Sequence, residues 1–221
     1  MTDGCKADDA ESGRPTGTYR RVLWTVIAIN GVMAVGEGAG GWLAGSKALQ
    51  ADALDFLGDT ATYALTLFVL ERSARARATA ALIKGASLIL PALAVLATTL
   101  WRALAGAAPA GELMSGIGFL ALAANLASAM LLMRHRAGDA NMRSVWLCSR
   151  NDAIGNAAVI LAGLAVMATA SRWPDLLVAA GIAGLFLYSS ASIIRQARAE
   201  LRRMRVGDAR ASSLGKGGEA R

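Results

Sequence analysis

Six apolar runs, each about 17 to 25 residues long and separated by short Arg-rich stretches, constrain this chain more than any other feature. A run of that length crosses the bilayer hydrocarbon as a helix, because a helix satisfies its own backbone N–H and C=O groups where no water is present. Windows of about 19 residues place the spans at 22–45, 48–70, 79–101, 113–133, 145–169 and 174–194. The expected fold is all-α, a polytopic membrane protein with six transmembrane helices. It divides into a polar segment 1–21, a six-helix domain 22–196 and a short basic tail 197–221. The stretch RQARAELRRMR opens the tail as a basic helix suited to anionic lipid, and the chain then fades into a disordered end. Gly and Pro in GAAPAGE (106–112) and RWPD (172–175) break helices, and Pro91 is expected to kink the third span. The polar first residues, with no small-residue cleavage site after the first apolar run, argue against a cleaved signal peptide.

The charges flank the apolar runs. A net charge of +7 would suit nucleic acid, but this placement excludes it as a partner and points to membrane lipid. Eighteen basic residues fall on the side of the two termini and three, Lys47, Arg102 and Arg172, on the other. That bias puts both termini in the cytoplasm and the protein, multi-pass, in the cell membrane. Lys84 and Arg150, near the inner ends of spans three and five, read as snorkelling side chains. Two cysteines, Cys5 and Cys148, provide no disulfide framework.

Within the spans lie acids that lipid does not tolerate. Asp52, Asp55 and Asp59 fall at i, i+3 and i+7, one stripe of a helix, and an ionised side chain at the bilayer centre costs about 2.5 to 3.5 kcal/mol. Taken alone, Asp52 reads as an interhelical hydrogen-bonding residue. Asp55 and Asp59 together do not, because no comparable set of intramembrane bases accompanies them. In the fifth span Cys148 and Asp152 repeat the four-residue spacing. A lone Cys in a membrane helix is commonly an apolar filler, but this one is placed to pair with Asp152. Two such pairs on facing helices offer three carboxylates and a thiol, enough for a four-coordinate divalent metal, and the thiolate favours zinc, cadmium or another thiophilic ion. The only histidine, His135, reads as a solvated loop residue.

The stretches INGVMAVGEGAGGWLAGSKALQADALDFLGDTATYAL and NMRSVWLCSRNDAIGNAAVI resemble the first two spans and the fifth span of the cation diffusion facilitator transporters, and the likeness extends over about residues 22–196. The resemblance implies a secondary transporter and no enzyme, with no catalytic residues and no resident cofactor. It implies export of a divalent heavy-metal ion in exchange for protons, with metal ligands at Asp55, Asp59, Cys148 and Asp152. Asn30, Glu37 and Asn125 match places where that family often carries polar residues and, with Asp52, are secondary candidates; Asn30 and Asn125 are expected to bond across helices. Cys148 stands where the family usually has His or Asp. About 27 residues follow the last span, so the chain reads as a short form without the family's soluble C-terminal domain, and a homodimer partner would have to pair without it.

Three carboxylates and a thiol in low dielectric cannot all ionise without a cation, so the ligand set itself implies protons displaced by the arriving metal. The rival reading is an intramembrane aspartyl protease, with Gly58 and Asp59 as its Gly-Asp motif and Asp59 and Asp152 sharing a proton. That reading leaves Asp55 and Cys148 without work, and Phe56 stands where the fuller motif needs Gly. The glycines at 36, 40, 41 and 45 give the spacing of a close helix contact.

Overall fold

The computed structural model describes residues 17–69, 73–133 and 140–218, and each expected span lies in a helix of its own. These are α1 (Gly17–Ala44), α2 (Lys47–Val69), α3 (Ala74–Ala105), α4 (Gly111–Met133), α5 (Ala140–Thr169) and α6 (Trp173–Gly218). The chain breaks at 106–110 as the Gly and Pro content requires. The second break falls slightly earlier than expected: Pro174 sits in the first turn of α6, where its missing N–H is no loss, so RWPD starts a helix and does not interrupt one. α3 is helical on both sides of Pro91. α6 has 46 residues, about 70 Å at 1.5 Å per residue, more than twice a hydrocarbon core of about 30 Å. Its first half is the expected span, and the helix runs on through the basic residues to Gly218.

Five of the six helices are long and apolar enough to cross a membrane on their own composition. α2 is the exception, since every stretch of eighteen residues within it contains Asp52, Asp55 and Asp59. Packing accounts for how such a helix is accommodated. α2 touches all five other helices; α1, α4 and α5 gather on one side of it, and α3 packs with α6 on another. One apolar cluster, Leu23, Val26, Ile27, Tyr63 and Leu132, joins α1, α2 and α4 near the N-terminal end of α1. A second, with Ala44, Leu49, Met114, Val159 and Ala179 among its members, closes the opposite end. Large side chains such as Val32, Trp42, Leu104 and Phe119 point outward, as a lipid-facing surface requires.

The glycine spacing in α1 divides into two uses. Gly41 is a close contact: a Cβ there would stand 2.9 Å from Leu49 Cβ and 3.0 Å from Gln50 N. Gly45 instead ends the helix at φ +68°, the left-handed conformation that lets Ser46 N reach Gly41 O at 2.9 Å and Gly45 N reach Trp42 O at 3.2 Å.

That turn delivers α2 to an unusual cap. Ser46 Oγ accepts from Leu49 N at 3.1 Å and donates to Asp175 Oδ1 at 2.6 Å. Asp175, from the first turn of α6, also accepts from Lys47 N at 2.9 Å and Ala48 N at 3.0 Å. One buried carboxylate thus satisfies the exposed donors and the positive dipole end of a helix some 127 residues earlier in the chain. The basic residues on this side work similarly. Arg102 donates to the Gly45 carbonyl, and Arg172 donates to the Gly106 carbonyl and, at 3.1 Å, to Ala103 O at the end of α3. Replacing Asp175 by Ala should lower stability by roughly 3 kcal/mol, because α2 keeps buried donors without an acceptor. Asp175→Asn should lose less. Thermal unfolding in detergent checks this, and a midpoint unchanged in Asp175→Ala would refute the cap.

Candidate metal site

The acid stripe of α2 faces the interior of the bundle. Asp52 is buried, and Asp55 and Asp59 are partly buried. The other face, with Gln50, Ala53, Leu54 and Leu57, lines an apolar recess of about 530 Å³ shared with α1 and Val95 of α3. The recess contains no acid and lies away from the site.

Across the bundle, the Asp152 carboxylate of α5 lies against those of Asp59 and, next, Asp55. The structure therefore brings together three of the four residues expected to hold a metal. Asp152 Oδ2 has no hydrogen-bond partner, and the charges acting on Asp152 are those two carboxylates. Among the described residues no three His, Cys, Asp or Glu side chains stand close enough to hold an ion as they are arranged, so the carboxylates face one another without closing into a coordination sphere. Cys148 lies in the helical backbone of α5 one turn before Asp152, and its side chain is outside the described residues, as are His135 and Cys5.

The secondary candidates separate. Glu37 of α1 is fully buried against Asp52 and within electrostatic range of Asp55. Two ionised carboxylates would offer each other acceptors and no donor, and neither Glu37 oxygen nor Asp52 Oδ2 has a hydrogen-bond partner. The acids thus form a connected series from Glu37 through Asp52 and Asp55 to Asp59 and Asp152. Asn30 donates to Val26 O at 2.8 Å, one turn back in its own helix, where a bond to another helix was expected. Asn125 is buried on α4.

Two residues near the acids escaped the sequence reading. Tyr63, one turn beyond Asp59, donates its hydroxyl to Asp59 Oδ2 at 2.6 Å and fixes that carboxylate. Asn156, one turn beyond Asp152, is fully buried. Both stand at the four-residue spacing that identified the acid pairs, so extending each stripe by one turn would have found them.

No curated protein matches the chain. A family description does match, over the whole bundle and both acidic helices: residues 23–202 fit the cation efflux transmembrane domain. With 180 of 221 residues inside that match, and with carboxylates of α2 and α5 gathered where lipid would reject them, the chain belongs to the cation diffusion facilitator family of metal transporters.

Proposed function

We propose that this transporter carries a divalent thiophilic ion of the zinc and cadmium class out of the cytoplasm in exchange for protons, binding it between α2 and α5 at Asp55, Asp59, Cys148 and Asp152. The observation that carries the reading is the approach of Asp152 to Asp59 and Asp55 inside the bundle. Like charges at such a point call for a cation or for protons, and a metal site that exchanges one for the other is an antiporter. Membership of a transporter family supports the same conclusion.

The bundle suggests how each part contributes. α2 carries two ligands and meets every other helix, so a change in the tilt of α1 and α4 against α2 opens the site to one side or the other. Protonation from the outer side weakens the carboxylate ligands and releases the ion there. Residues 22–196 form the transporting domain, with both termini cytoplasmic, the basic continuation of α6 against anionic lipid, and a homodimer as the working assembly. The protease reading needs Asp59 and Asp152 to face one another, and they do, but it gives Asp55 no part in their contact and sits outside the family's chemistry.

Asp59→Ala and Asp152→Ala should abolish saturable zinc or cadmium flux in proteoliposomes while leaving the protein folded; flux at the wild-type level in either variant would remove the central claim. Metal binding should release protons, counted by calorimetric titration in two buffers of different ionisation enthalpy, and a count of zero at about pH 6 to 7 would exclude the exchange. Cys148 should set selectivity more than activity. Cys148→His should shift preference toward zinc, and Cys148→Asp should reduce cadmium flux; an unchanged cadmium-to-zinc ratio in both would make Cys148 a packing residue.

A further inference from the structure

Asn156 is fully buried on α5, and neither its carboxamide oxygen nor its nitrogen has a hydrogen-bond partner. Leaving a buried amide in that condition is unfavourable, and an apolar side chain of similar volume would pack there without the penalty. Some other partner is needed to account for it.

Its place on the helix indicates which. Asn156 shares the stripe of Asp152, four residues on. The connections α1–α2, α3–α4 and α5–α6 all turn at the end of the bundle where Asp175 caps α2, so α2 runs away from that end and α5 runs toward it. Asp152 lies against Asp59 first and Asp55 second. One turn from Asp59 toward the capped end is Asp55, and one turn from Asp152 toward the same end is Asn156. The amide therefore stands level with Asp55, as Asp152 stands level with Asp59. Cys148 lies a turn away in the opposite direction.

We propose that Asn156 gives its carboxamide oxygen to the divalent ion held by Asp55, Asp59 and Asp152. The assignment rests on the metal-site reading above and adds a ligand to it. Three carboxylates already exceed the charge of a divalent ion, and a neutral oxygen adds a donor without adding to their repulsion.

The test uses the full chain in detergent, with zinc alone as the titrant and cobalt as a spectroscopic probe. Asn156→Ala and Asn156→Leu should weaken zinc binding about ten- to a hundredfold. Both should leave the metal-free thermal midpoint unchanged or raised, because no hydrogen bond is lost. Asn156→Asp, which keeps an oxygen at the same place, should bind at least as tightly as the wild type, and the cobalt absorption bands should change in Asn156→Ala and Asn156→Leu. A packing role moves none of these readouts except stability. Wild-type zinc affinity and an unchanged cobalt spectrum in the Ala and Leu variants, while Asp59→Ala loses binding, would overturn the assignment of Asn156 alone. Wild-type affinity in Asp59→Ala as well would overturn the metal site and this ligand with it.

Discussion

Three carboxylates on a single helix at membrane depth govern the rest of the architecture. Each ionised group would cost about 2.5 to 3.5 kcal/mol in hydrocarbon, so the face of α2 that carries Asp52, Asp55 and Asp59 has to be enclosed by protein. The bundle achieves this by placing α2 in contact with all five neighbours, while more apolar helices take the lipid. Glu37 and Asp152 then extend the acid series to α1 and α5, which makes the region unfavourable without a cation or protons. Apolar residues packed at these positions would give a firmer bundle, so the acids stand there at a cost in stability.

The opposite requirement is met at the capped end. There the charges are satisfied in place: Asp175 holds the start of α2, and Arg102 and Arg172 hold the carbonyls that end α1 and α3. The capped end is thus held by hydrogen bonds that cross between helices, whereas in the middle both Glu37 oxygens, Asp52 Oδ2 and Asp152 Oδ2 have no hydrogen-bond partner. Bonds to Asp175 hold the start of α2 to α6, two turns before the first of the facing acids, Asp55.

Much of this was legible in the sequence, for a specific reason. Run length and composition mark five of the six helices as candidate spans, and the four-residue spacing puts Asp55 and Asp59 on one face of the sixth before any neighbour is known. What stayed hidden depends on partners distant in the chain. Asp175 reads as part of a loop until Lys47 and Ala48 are seen against it, and Asn156 reads as an ordinary polar residue until its lack of a partner is apparent. Asn30 shows the converse error, since a buried Asn can bond to its own helix as readily as across a gap. The length of α6 was likewise hidden, because Arg and Glu residues that end an apolar run do not end a helix.

Tyr63 belongs to two environments at once. Its ring is a member of the cluster with Leu23, Val26, Ile27 and Leu132, and its hydroxyl is 2.6 Å from Asp59. The ring plane and the carboxylate orientation are joined by one rigid side chain, so neither can shift far alone. Tyr63 and Asp59 both belong to α2, so the bond between them travels with that helix, and any shift of α1 or α4 against the ring reaches the carboxylate through it.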